Sequence, residues 1–286
     1  MQKTTQSGLL SGLTVLLFLT FGAVSAWATA SSPEYYQRLI TGIVGEDWQK
    51  YGALFTLLQS HYFMWIFLLL ITAVPLIFAL HYLIIGAKHF DHGGKQILFF
   101  PLFSRLIHLL GAVSFTALVI TGLLITFASF FGGGTFIRSA RYVHLFAAFL
   151  ALPALLLMLV IWLKDMLPAM CDIKWCLILG GYLSKKKVPV PAEKFNAGQK
   201  MWYWCAVPGG LIMAFTGFYL WSFGINIDLI RIYAIIHNVL GMILVAFYLT
   251  HCYMSIFAIA GSLKSMKTGY KPQEEVDILH SLHKYE

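Results

Sequence analysis

The sequence predicts an all-α membrane protein, a polytopic transmembrane helix bundle, and three observations predict it. Of the 286 residues, 59% are hydrophobic and only 11% are charged, against about 25% charged in an ordinary globular domain. The apolar residues gather into runs near 8–28, 62–86, 104–128, 141–163, 202–222 and 229–258, each close to the roughly 20 residues that cross a bilayer. Histidines stand inside several of these runs, where a polar group is costly and is retained only when something requires it. No repeat of 20–50 residues and no Pro- or Ser-rich linker divides the chain, so the runs belong to one helical membrane domain.

Taken in order, residues 1–28 open with MQKTTQSG, continue as LLSGLTVLLFLTFGAV and end in Ala26-Trp27-Ala28. That is the outline of a secretory signal peptide, removed or retained as an anchor; both leave residues 29–61 outside as a periplasmic segment. Residues 62–99 are an extra transmembrane helix and its inner loop. Residues 100–262 hold four further spans, with one long polar segment at 164–200, and residues 263–286 form a cytoplasmic tail. The outer segments then carry Arg38, Lys50, Arg138, Arg141 and Arg231, and the inner ones fourteen Lys and Arg residues. This asymmetry predicts a cytoplasmic C-terminus. The formal charge of +8 has the same origin, and no nucleic-acid partner follows from it. Cys171, Cys176, Cys205 and Cys252 match no zinc or iron–sulfur spacing, and their inner side disfavours a disulfide.

The histidines give the chemistry. His237 and His251 share the last span fourteen residues apart, which is about 21 Å along a helix and within roughly 40° on its face. One lies in the outer leaflet and one in the inner. His108 stands about a turn into the span that enters from the cytoplasm, and His144 about a turn into the next, which enters from outside. Depth therefore pairs His108 with His251 and His144 with His237. A lone intramembrane histidine is as readily a helix–helix contact. Four that agree in depth and facing match two b-type haems, whose irons each take two axial imidazoles. Arg105 and Arg141 each precede a candidate ligand by three positions and suit haem propionates or, equally, lipid headgroups. Gly111, Gly122, Gly217 and Gly241 offer small surfaces for a porphyrin or for helix packing. His61 and His81 face opposite ways on the extra span and read as contact residues. His89 and His92 beside Asp91, and His280 and His283 in the tail, are weak metal candidates.

The region 100–270 resembles the gamma subunit of respiratory formate dehydrogenase, a membrane cytochrome b556, in its longer form. The resemblance is carried by SRLIH at 104–108, RYVH at 141–144, KFNAGQKMWYW at 194–204, FTGFYLW at 215–221 and the segment from Ile235 to Met254. On the residues alone, Asn196 and Gln199 cap the start of a helix and Lys200 is one more inner anchor. The resemblance implies instead that Asn196, Gly198 and Gln199, with His251, line a menaquinone or ubiquinone pocket. It implies two haem b groups, a four-helix di-haem core, and partners on the periplasmic side: an iron–sulfur beta subunit and a molybdenum- or tungsten-containing alpha subunit. The chain itself carries no motif for formate oxidation, so it would serve as an electron-transfer and quinone-reducing subunit. The rivals are a hydrogenase-type cytochrome b with another donor and a proton-coupled transporter, whose inverted repeats and broken helices the sequence lacks.

Overall fold

The structure, a computed structural model, describes residues 48–222 and 226–285. The leader expected over 1–28 and most of the outer segment 29–61 lie outside the described residues. The first described helix, α1 (Trp48–Leu57), passes through a π-helical turn at Leu58–Tyr62 into α2 (Phe63–Ile84). Together they give an apolar span over Tyr51–Ile84, which begins well before the run expected from residue 62. The polar triplet Gln59-Ser60-His61 masks this continuity in the sequence. Ser60 stays within the helix because its hydroxyl donates to the carbonyl of Thr56.

Four more helices are long and apolar enough to cross a membrane: α3 (Leu102–Thr126), α4 (Gly134–Trp162), α6 (Ala197–Ser222) and α7 (Ile227–Ile256). A short helix, α5 (Met170–Leu177), lies in the inner segment between α4 and α6. Pro101 opens α3, where a missing N–H costs nothing. Gly132, Gly133 and Gly134 all take positive φ in the tight turn into α4, a conformation that side chains with a Cβ rarely adopt. Asn226 caps α7, its Oδ1 accepting from the amides of Asp228 and Leu229 at 2.9 and 3.2 Å.

Helix α3 packs closely with α4, α4 with α6, α6 with α7, and α7 in turn with α2. Ile107, Ala151, Leu155, Met158, Tyr203 and Val207 form the shared core of α3, α4 and α6. Gly111 and Gly210 admit the neighbouring helix: a Cβ would come within 2.6 Å of Met158 at the first and 2.9 Å of Leu155 at the second. The arc is open between α7 and α3, which are not among the close-packed pairs. The extra span covers that seam. Phe63 and Phe67 of α2 pack with Met242 and Val245 of α7 and with Phe127 at the end of α3, and Gly241 receives the Phe67 ring.

The tail expected over 263–286 is folded against the loops before α3 and α6. Strand β1 (Gln96–Leu98) pairs antiparallel with β2 (Tyr270–Pro272). Helices α8 (Ser262–Thr268) and α9 (Gln273–Leu279) flank β2. Val190 and Ala192 exchange backbone hydrogen bonds with Ile278, Ser281 and Leu282. Lys88, buried, donates to the carbonyls of Ser184 and Lys186. Three segments, far apart in sequence, thus form one folded cap over the ends of the spans nearest the C-terminus.

Candidate functional site

Two pairs of imidazoles occupy the bundle at two depths. The rings of His144 and His237 have centroids 6.4 Å apart, inclined at 61°; those of His108 and His251 are 6.2 Å apart at 55°. The pairs are those expected from depth. Two imidazoles on one metal, at metal–nitrogen distances of about 2.0–2.1 Å, have centroids roughly 6.3 Å apart. The separations in both pairs therefore match two imidazoles that share one metal ion. Among the described residues no cluster of three or more His, Cys, Asp or Glu suits a metal, so a metal between either pair would take its remaining ligands from elsewhere, as a haem iron does from its porphyrin. The helices facing across the pairs, α3 with α7 and α4 with α7, are not close-packed, as a group inserted between them requires. These features fit haem.

The outer pair is held by side chains of the preceding helix. His144 Nδ1 lies 2.8 Å from Thr121 Oγ1, and His237 Nδ1 lies 2.9 Å from Thr216 Oγ1. The next residue is glycine in both cases. A Cβ on Gly122 would stand 3.5 Å from the His144 ring, and one on Gly217 3.2 Å from the His237 ring. Sequence reading missed both threonines. The available signal was the Thr-Gly pair at 121–122 and again at 216–217, one helix ahead of each outer histidine.

The inner pair has no side-chain hydrogen bond to either ring among the described residues. Instead Trp202 stacks on His251, centroids 5.1 Å apart and planes 17° apart. Arg105 Nη1 donates to the Lys267 carbonyl in the cap, while its Nε is buried without a partner. An orphaned guanidinium donor one turn from His108 fits an acidic group such as a haem propionate. Arg141 is exposed.

The Asn-Ala-Gly-Gln-Lys loop forms a reciprocal cap. Asn196 Oδ1 accepts from the Gln199 amide at 3.0 Å, and Gln199 Oε1 accepts from the Asn196 amide at 2.9 Å. Both carboxamide oxygens are thus engaged, and their NH2 groups make no hydrogen bond among the described residues. Gly198 sits against Trp175, where a Cβ would meet the indole at 2.9 Å. Lys200 is no surface anchor: 5% exposed, it donates to Asp172 at 2.9 Å. Asp172 also accepts from the Ala169 amide.

The remaining histidines have separate surroundings. His81 Nδ1 lies 2.6 Å from the Tyr253 hydroxyl and its Nε2 2.9 Å from the Tyr182 carbonyl, tying the extra span to α7. His61 is exposed. His92 lies 3.3 Å from the Ala260 carbonyl, and His280 is buried in the cap with Nδ1 2.8 Å from the Glu193 carbonyl. All four cysteines are free.

Comparison with known proteins bears on these pairs. The chain is similar to the cytochrome b556 subunit of the nitrate-inducible formate dehydrogenase of Escherichia coli (strain K12), 30% identical over 137 residues, 46% of this chain and 63% of the relative. It is also similar to the formate dehydrogenase cytochrome b556 subunit of Haemophilus influenzae, 26% identical over 136 residues, 46% of this chain and 57% of the relative. The chain thus spans somewhat under two thirds of the length of these relatives. The family model described as prokaryotic cytochrome b561 matches residues 100–269, the region that contains all four paired histidines. A cytochrome b family implies haem b, and the five spans make a multi-pass membrane protein. With more than half of its length matched, the chain belongs to the prokaryotic cytochrome b561 family.

Proposed function

We propose that this chain is the membrane cytochrome b subunit of a respiratory formate dehydrogenase. In this role it carries electrons from a periplasmic iron–sulfur subunit to a quinone reduced near the cytoplasmic face of the bacterial inner membrane. The observation that supports the reading is the pair of histidine pairs at two depths, each separated as two imidazoles on one iron would be. Two b haems, when bound, supply one-electron transfer with both axial positions closed to other ligands. His144 and His237 hold the outer one, His108 and His251 the inner one, within the four-helix core 100–262. Helix α7 supplies one ligand to each site and so fixes their spacing. Arg105 answers an inner propionate and Arg141 an outer one.

The inner rim takes the quinone. The amide nitrogens of Asn196 and Gln199 offer hydrogen bonds to a quinone carbonyl, His251 is the haem ligand assigned to the same side, and Gly198 keeps the loop close to Trp175. Protons reach this rim from the cytoplasm. Each electron moved inward against the membrane potential costs about 2.3 kcal/mol per 100 mV, so the drop from donor to menaquinone or ubiquinone must exceed that. Formate is oxidised by the alpha subunit, which holds molybdenum or tungsten, and not by this chain.

A pyridine haemochrome assay on the purified subunit should return close to two haems b per chain; a haem-free preparation from haem-replete cells overturns the reading. Native purification should bring down the iron–sulfur and molybdenum or tungsten subunits. A nickel-containing large subunit in their place reassigns the donor to hydrogenase. Asn196→Ala and Gln199→Ala should keep both haems and slow their reoxidation by quinone. Lost haem with normal quinone kinetics makes the loop a helix cap alone.

A further inference from the structure

We infer that Thr121 and Thr216 are positioning residues for the outer histidine pair: each fixes its imidazole as the Nδ1–H tautomer, aims Nε2 across the bundle and raises the basicity of the ring. The inference rests on the reading of the paired histidines as haem ligands. It starts from the single proton of a hydroxyl. Thr121 Oγ1 lies 2.6 Å from the Ala117 carbonyl, and two oxygens at that distance repel unless a proton lies between them. A carbonyl only accepts, so the threonine proton goes to Ala117. Oγ1 then has only lone pairs for His144, and the hydrogen bond at 2.8 Å is donated by Nδ1–H. Thr216 repeats the arrangement. Its hydroxyl donates to the carbonyls of Ile212 and Met213 at 3.0 and 3.1 Å, and it accepts from His237 Nδ1 at 2.9 Å.

With Nδ1 protonated, the lone pair of a neutral imidazole is on Nε2. That is the atom a metal between the rings takes. The flanking Gly122 and Gly217 bring each helix to within van der Waals reach of the ring it serves, so ring rotation is blocked on that side. A donated N–H also pushes electron density into the ring, which favours the oxidised metal and lowers the reduction potential of the site. The inner pair has no such partner among the described residues. The two sites of one chain are therefore set apart in potential by two threonines, with the outer site the lower for this term, in the order that helps electrons move inward.

The test uses the complex with Thr121→Val, Thr216→Val and the serine variants, read by optical redox titration. Valine keeps the shape and removes the hydroxyl acceptor, leaving to each ring only the backbone carbonyl of the same turn, Leu118 for His144 and Met213 for His237. Expected is a rise in the midpoint potential of one component, the same one that His144→Ala abolishes, with the other unmoved. Release of that haem to apomyoglobin should be about 10-fold or more faster. Thr→Ser should restore both values. Unmoved potentials in the valine variants, or equal shifts in valine and serine, overturn the inference while leaving the haem reading intact. A wild-type chain without haem overturns both.

Discussion

The outer and inner histidine pairs have nearly the same separation, 6.4 and 6.2 Å between centroids, yet they are secured by different means. The outer pair is held by the spans themselves, through threonines on neighbouring helices. The inner pair is enclosed from the end of the bundle that carries the folded cap. Trp202 stacks on His251, Arg105 is tied to the cap at Lys267, and the loop above is pinned by its reciprocal cap and by the Lys200–Asp172 ion pair. A centre fixed by packed helices keeps its geometry as long as the bundle stands. A centre enclosed by loops depends on segments that open at lower free energy. Damage to the cap and its loops should therefore be felt by the inner component alone.

The largest effect comes from the ligands. His144→Ala and His237→Ala should each abolish one optical component, and His108→Ala and His251→Ala the other, with bound haem falling by half in every case. Redox titration of the four variants reads the grouping. A shared component between 144 and 251, or between 108 and 237, breaks the comparison at its root.

Next in size is Lys200→Met. It leaves the Asp172 carboxylate buried without its cation, a loss of about 3–5 kcal/mol when one partner of a buried pair is removed. Thermal melting followed in the haem bands should show the inner component failing first and the outer one persisting. Loss of both at one temperature means that the two ends unfold as a unit.

Trp202→Leu should be milder. Aromatic stacking contributes about 0.5–1.5 kcal/mol beyond burial, so the inner component shifts in potential and haem retention while the outer stays put. A shift of the outer component instead would place Trp202 in the wrong layer.

The smallest effect concerns the cap alone. Burial pushes the pKa of His280 down to about 3, whereas a histidine of the unfolded chain titrates near 6.5. Between these values the unfolded cap binds the extra proton and the folded one does not. Cap stability is therefore full above about pH 6.5 and falls as the pH drops below it. Protease nicking of residues 263–285 should rise at pH 5.5 relative to pH 7.5, and His280→Phe, beside Phe99, should flatten that difference. An unchanged pH profile in the variant assigns the sensitivity to another group.

Several features were legible in the chain because they depend on spacing along one axis. Helix rise converts the interval between His237 and His251 into depth and facing, and depth alone chose the partners that the fold brings together. Apolar run length gave the five described spans for the same reason. The ends were less legible. The span before Phe63 extends back to Tyr51 across Gln59-Ser60-His61, because a local hydroxyl–carbonyl bond makes polar residues tolerable in a helix, and an apolar window cannot register that. The Asn196–Gln199 cap follows from residue type and position, and its geometry agrees with the plain reading of those residues.

What composition and helical periodicity determined by themselves was a polytopic bundle with four histidines at two levels, since burial in lipid and a fixed rise per residue leave few alternatives. Only the tertiary structure decided the contacts between segments remote in sequence. These are the α2 helix laid over the open seam between α3 and α7, the pairing of β1 with β2, the burial of Lys200 against Asp172, and the threonine behind each outer histidine. No local pattern encodes them, because each depends on which surfaces remain unpaired once the neighbouring helices have packed.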